Sequence, residues 1–147
     1  MIFDKTNIQI LKHLLFDSRQ SARQLSLKLG LSTVTVLSRI KKLEKEKIIK
    51  GYYVNLDHEK LGYQLTAIIE LISKKGQLVK LEEQLTTFEN VCGVYDVTGN
   101  SDAIIIAKFK DRGELSKFVK GLSSIPNVQN TVTHVVLNTA KEDFRLI

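Results

Sequence analysis

The chain has 147 residues, enough for one medium domain or two small ones, and its 43% hydrophobic content is enough to bury real cores, which argues against disorder. The net charge of +6 is unevenly placed: residues 1–50 hold 11 Lys and Arg against 4 Asp and Glu, a net of +7, while residues 51–147 hold 11 against 12, a net of −1. The basic end favours a polyanion, because neutralising phosphates releases condensed counterions, and it disfavours a membrane, since the longest apolar run, Ala103 to Ala107, is far too short to span one.

The opening MIFDKTN lacks the charged-then-apolar pattern of an export signal, so a cytoplasmic location is expected. The lone Cys92 cannot form an intrachain disulfide and reads as a small core residue in a strand. His13, His58 and His134 lie far apart, so neither a metal site nor a cofactor is expected.

Taken in order, Asp4 can cap a first helix whose Ile8, Leu11, Leu14 and Leu15 form one face, ending near Asp17 to Gln20. His13 lies beside that stripe as a boundary residue. Ser21 and Gln24 form a capping box for a second helix carrying Ala22, Leu25 and Leu29 inward. Gly30 stops it, and Ser32 can cap a third helix running to about Glu46. Such a pair is a short helix-turn-helix, and the first helix supplies the wall it cannot build alone.

On the third helix Val36, Ile40 and Leu43, with Leu37 beside them, make the inner stripe. At roughly 100° per residue, Val34, Thr35, Ser38, Lys41, Lys42 and Lys45 then point outward, with Arg39 on the flank. Small side chains near the helix start suit base edges, Val34 a thymine methyl, and Arg39, Lys41 and Lys42 suit phosphates or the groove wall.

From Ile48 to Leu56 the pattern turns β-like, and Asp57 to Gly62 reads as a turn. Beyond Tyr63, LTAIIELIS reads as a strand, Leu78, Leu81, Leu85 and Phe88 as a helical stripe, and VCGVYDV and AIIIAKF as strands. A helix with Leu115, Phe118, Val119, Leu122 and Ile125 inward and the strand VQNTVTHVVLN follow. The fold class is therefore α+β: a three-helix domain over 1–50, a linker over 51–62, and a ferredoxin-like βαββαβ domain over 63–147. Strands apolar on both faces, such as Ile68, Ile69, Leu71 and Ile72, point to a second subunit covering the sheet.

The stretches LGLSTVTVLSRIKKLEKEKIIKGYYVNLDHEKLG, CGVYDVTGNSDAIIIAKFKD and IPNVQNTVTHVVLNTAKED resemble, in that order, the DNA-binding half and regulatory domain of the leucine-responsive/asparagine regulator (Lrp/AsnC) family. The resemblance covers nearly the whole chain. It implies a linker strand that pairs with its counterpart in a second subunit, and it adds weight to Ser32, Thr33 and Arg39 at the DNA. It also implies an amino acid or related metabolite as effector, and dimers that associate into tetramers or octamers. The family often has proline where this chain has Thr33 and glycine where it has Lys47. A non-glycine residue in a left-handed helix stop costs on the order of 1 kcal/mol, which points to a differently built helix end.

By residue type alone, the turn Gly99-Asn100-Ser101-Asp102 is a hairpin turn, and Thr131 and Thr133 are there for β propensity. The resemblance implies instead that this turn lines the amino-acid pocket. Backbone N–H groups around Gly99 and Asn100 would then hold a carboxylate, Asp102 an α-ammonium, and Thr131 and Thr133 would offer hydroxyls on one face.

No hydrolase elbow, phosphate loop or paired-carboxylate spacing suggests an enzyme. RNA binding through the sheet would need an aromatic motif where the strands offer Ile and Val. The expected protein is a transcriptional regulator reading a palindromic duplex and answering to a small effector. The competing expectation is a metabolite-sensing oligomer whose helix-turn-helix serves protein interaction.

Overall fold

The chain divides into two compact units, Met1–Asn55 together with Glu142–Ile147, and Leu56–Lys141. The computed structural model describes residues 4–74 and 76–146. This division places the last residues with the helical unit, whereas the sequence pattern alone attaches them to the second domain.

The first unit holds α1 (Lys5–Phe16), α2 (Ala22–Leu29) and α3 (Thr33–Lys45). Each start is capped by a short oxygen-bearing side chain that satisfies an otherwise orphaned backbone N–H. Asp4 accepts from the Asn7 amide at 2.7 Å, and Ser32 accepts from the Thr35 amide at 3.0 Å. Around α2 both arms of the capping box are formed, Gln24 N donating to Ser21 Oγ at 3.2 Å and Ser21 N to Gln24 Oε1 at 2.8 Å. Gly30 ends α2 at φ +65°, a left-handed conformation that costs glycine nothing.

Among the described residues, Ile10, Leu11, Leu14, Leu25, Val36 and Leu43 are the buried apolar side chains of this unit's core. Leu15 is 38% exposed, so the inner stripe of α1 is centred on Ile10 and Leu14 and not on the expected Ile8, Leu11, Leu14 and Leu15, while Leu37, expected beside the stripe of α3, is 44% exposed. The spacing 7, 10, 11, 14 is the tighter apolar row, with Asn7 buried as its one polar member.

The end of α3 corrects a second expectation. Lys47 does adopt φ +55°, so the left-handed stop is kept without glycine. Ile48 N donates to Leu43 O at 2.9 Å and Lys47 N to Glu44 O at 2.9 Å, the paired bonds of a Schellman stop. Ile48 packs against the cluster containing Leu43, and this apolar contact offsets the strain at Lys47.

The linker strand is expected to pair with its counterpart in a second copy. Within one chain, residues 51–57 have no ladder partner among the described residues, and Tyr53 and Val54 are each 80% exposed. A strand exists only by pairing, and the strands of this chain are all engaged in one sheet to which the linker does not add. Tyr52 is the exception to its looseness: its hydroxyl donates to Glu44 Oε1 at 2.9 Å. Burial and the neighbouring carboxylate push its phenol up to about 12.

The second unit runs β1 (Leu65–Ser73), α4 (Leu78–Leu85), β2 (Val91–Asp96), β3 (Ala103–Phe109), α5 (Arg112–Ser123) and β4 (Val128–Val135). Its antiparallel sheet has the order β2-β3-β1-β4, the ferredoxin-like arrangement. Strand alternation decides which residues are covered. Ala67, Ile69 and Leu71 on β1 and Ala103, Ile105, Ala107 and Phe109 on β3 are buried with Leu81, Leu85, Phe118 and Leu122 of the helices. Phe88, Phe109 and Phe118 pack edge-on or tilted, with centroids 5.2 and 5.4 Å apart.

Cys92 is exposed rather than buried. It lies where the ladder of edge strand β2 shifts between Val91 and Gly93, and a residue inserted at such a bulge leaves the alternation that would have turned it inward.

Replacing Lys47 by glycine removes the side-chain penalty at φ +55° but adds chain entropy to the unfolded state. The net expectation is a gain of between a few tenths and about 1 kcal/mol, read as a higher urea midpoint with an unchanged slope.

Candidate DNA-reading helix and effector site

The outer face of α3 is built by what its inner face buries. With Val36 and Leu43 fully buried, Val34 is left 77% exposed and Ser38, Lys41, Lys42 and Lys45 lie in solvent. The hydroxyls at the helix start are already engaged locally. Ser32 Oγ and Thr35 Oγ1 are 2.8 Å apart, Thr33 Oγ1 and Ser26 Oγ 3.2 Å apart, and Thr35 is half-buried. Each hydroxyl still has a second lone pair or its proton to offer.

Arg39 is placed differently from its lysine neighbours. Its Nη1 donates to Asp4 Oδ2 at 2.5 Å and to Asn7 Oδ1 at 2.9 Å. Both acceptors belong to the start of α1. The Arg39 hydrogen bond, followed by the Asn7 amide, holds the Asp4 carboxyl below its ordinary value of 3.8.

The turn Gly99-Asn100-Ser101-Asp102 joins β2 to β3, with Gly99 at φ +125°. Gly99 and Asn100 are exposed. The next two residues turn to different partners. Asp102 Oδ2 accepts from Ser73 N at 2.7 Å and Ser73 Oγ at 2.9 Å, and Asp102 N donates to Leu71 O at 2.9 Å. Ser101 Oγ donates to Glu70 Oε2 at 2.6 Å.

Thr131 pairs with Leu71 and Thr133 with Ile69, so both lie on the helix-covered face of β4. The structure thus brings Asp102 and Thr131 to opposite flanks of the same end of β1. Thr133 Oγ1 is buried and has no hydrogen-bond partner among the described residues. A buried hydroxyl left unpaired costs on the order of 1–3 kcal/mol, so this position carries a cost that packing alone does not repay.

Three residues with a part in this region escape a reading of the sequence. Ser73 fixes the Asp102 carboxylate. Glu70, which looks like a lone carboxylate in the chain, meets His134 Nε2 at 2.9 Å as well as Ser101. The Ser101 hydroxyl first, then His134, hold the Glu70 carboxyl below its ordinary value of 4.5. Glu70 and His134 share the open sheet face with Ile68, Ile72, Ile104, Ile106 and Val132, a grouping that appears only once the strand register is known. Among the described residues no group of acidic, His and Cys side chains could hold a metal, and no helix is long and apolar enough to cross a membrane.

A capped helix-turn-helix with a basic outward face, joined to a ferredoxin-like sheet, defines a DNA-binding regulator with a separate ligand domain. Residues 3–50 match the winged helix-turn-helix DNA-binding profile and residues 66–146 the Lrp/AsnC ligand binding domain. An uncharacterised HTH-type transcriptional regulator of Pyrococcus furiosus is 44% identical over 146 residues, covering 99% of each chain. The transcriptional regulator FL11 of Pyrococcus abyssi is 33% identical over 143 residues, covering 97% of this chain and 95% of its own. Among solved structures, a transcriptional regulator of Neisseria meningitidis in complex with L-methionine superposes with a TM-score of 0.92 at 29% identity, covering 99% of this chain and 96% of that one. The chain belongs to the Lrp/AsnC family of transcriptional regulators.

The lowered carboxyls give a pH dependence of known sign. A folded-state value below the unfolded one adds stability that is full above the unfolded value and is lost as pH falls through the folded one. The loss therefore sets in below about pH 3.8 for Asp4 and below about pH 4.5 for Glu70, and continues as pH falls through each lowered folded value. Melting curves between pH 6 and pH 2 should show a smaller acid destabilisation in Glu70→Gln than in the parent.

Proposed function

We propose that two copies of this chain read a palindromic duplex through α3 and respond to an amino acid held at the β2–β3 turn. The carrying observation is the exposed outward face of α3 within a segment of net charge +7. Val34, Thr35 and Ser38 approach base edges, Ser32 and Thr33 the backbone at the helix start, and Lys41 and Lys42 the phosphates. With DNA as its partner, the protein acts in the cytoplasm.

Dimerisation is supported by the open sheet face, where Ile68 is 37%, Val132 45% and Tyr95 47% exposed in one chain. The exposed linker around Tyr53 and Val54 is suited to pair with its counterpart in the second copy, since an extended segment with free edges finds its ladder there. A two-fold pair sets half-sites about 10 bp apart or a multiple of it. The family resemblance supports further association into tetramers or octamers.

The effector reading is supported by the unpaired Thr133 hydroxyl beside Thr131, by the open turn at Gly99 and Asn100, and by the L-methionine complex of the Neisseria meningitidis relative. Asp102 then contributes its remaining acceptor capacity to an ammonium while Ser73 holds it in place.

Lys42→Ala should weaken binding almost evenly across sequences and flatten the salt slope by about 1, whereas Ser38→Ala should change sequence preference. If both variants bind every duplex as the parent does, the groove assignment is wrong and the helix-turn-helix serves protein contacts. For the effector, thermal shift against the twenty amino acids should find one that stabilises the parent, by about 2.7 kcal/mol at a hundred times its Kd. Thr133→Val should raise the ligand-free stability by about 1 kcal/mol and reduce that ligand shift. No shift with any amino acid would refute the effector reading.

A further inference from the structure

We propose that Arg39 is a positioning residue that fastens the recognition helix to the start of α1 through Asp4, and that it is not a phosphate contact. The inference rests on the DNA-reading role of α3 and concerns how that helix is held.

The geometry assigns the two oxygens of one carboxylate to two tasks. Asp4 Oδ1 accepts from the Asn7 amide at 2.7 Å and so caps α1, while Oδ2 accepts from Arg39 Nη1 at 2.5 Å. Asn7 joins the same clamp, its Oδ1 accepting from Arg39 at 2.9 Å, and it is only 4% exposed. The clamp spans 35 positions in sequence and ties the middle of α3 to the first turn of α1.

Val36, Ile40 and Leu43 seat α3 on the core along one stripe. Val36 and Leu43 are its two fully buried side chains, seven residues apart on one stripe, and apolar contacts are non-directional. A guanidinium bonded to two fixed acceptors is directional, and it lies on the flank between that stripe and the outward face. It therefore sets which residues the helix presents. Nη1, which makes both of these bonds, is committed to Asp4 and Asn7, so the charge of Arg39 is already compensated by a carboxylate when a phosphate approaches. Lys41 and Lys42 are exposed, whereas Arg39 is half-buried.

The test uses the full chain, an operator duplex selected by the parent from a randomised pool, and an unrelated duplex of equal length. Asp4→Asn keeps a good N-cap but removes the charge that holds Arg39, and Arg39→Lys keeps the charge but replaces the planar guanidinium with a compact ammonium on a more flexible stem. Charge alone makes Asp4→Asn bind DNA more tightly, since a negative group is lost. Positioning makes the opposite forecast: operator affinity falls between about threefold and tenfold in both variants, the unrelated duplex is bound as before or slightly better, and the salt slope is unchanged. Helix content by circular dichroism at the assay temperature guards against simple unfolding.

Two results would overturn the proposal. One is a salt slope flattened by about 1 in Arg39→Ala with Asp4→Asn leaving operator affinity intact, which makes Arg39 a phosphate contact. The other is a lower melting temperature in Asp4→Asn and Arg39→Lys with both duplexes bound as by the parent, which makes the clamp purely structural. A parent that selects no duplex from the pool would remove the DNA-reading role itself, and the inference with it.

Discussion

The helical unit packs Ile10, Leu14, Leu25, Val36 and Leu43 together by non-directional apolar contacts, so its polar fastenings decide where each helix begins and ends. A side-chain cap contributes about 1 kcal/mol to such a unit. The fastenings fall at the points where a helix must start, stop or be aimed. Ser21 and Gln24 start α2, Gly30 stops it, Ser32 starts α3, and Lys47 with Ile48 stops it. Asp4 starts α1 and also meets Arg39. The strained Lys47 shows that the stop is required by the tertiary structure: the chain keeps a left-handed residue there although its side chain disfavours it.

In the second unit the organising constraint is the parity of β1. It is central, paired with β3 on one side and β4 on the other, so each of its residues is committed to one face. Ile69 and Leu71 go to the helices, while Ile68, Glu70 and Ile72 go to the open face. A one-residue slip would exchange the two sets and place Glu70 among fully buried aliphatic side chains, a cost that fixes the register strongly.

Much of this is legible in the sequence because it is local. Caps, helix stops and the alternation of strands are set within three or four residues, and the order βαββαβ follows from them. The features that are not legible depend on partners distant in the chain. Arg39 looks like its neighbours Lys41 and Lys42 until α1 is packed beside it, 35 positions away. Glu70 and His134 are 64 positions apart and meet only through the β1–β4 register. Cys92 is misread as core because a bulge breaks the period on which that reading depends. The linker has the composition of a strand but no ladder within its own chain, since composition states what a segment can pair and not what is there to pair with.

The β2–β3 turn shows how one short segment is tied to both faces of the sheet. Ser101 and Asp102 are consecutive, yet Ser101 reaches Glu70 on the open face while Asp102 is bound by Ser73, whose parity is that of the buried Leu71. Consecutive residues entering a strand point to opposite sides of the sheet. Asp102 N also donates to Leu71 O, so the backbone between the two side chains is tied to β1 itself. The turn's freedom lies on the other side, at Gly99 with φ +125°, toward β2. The segment after Gly99 is thus tied to β1 on both faces of the sheet, through Asp102 and Ser73 on one and through Ser101 and Glu70, on the face that carries Ile68 and Val132, on the other.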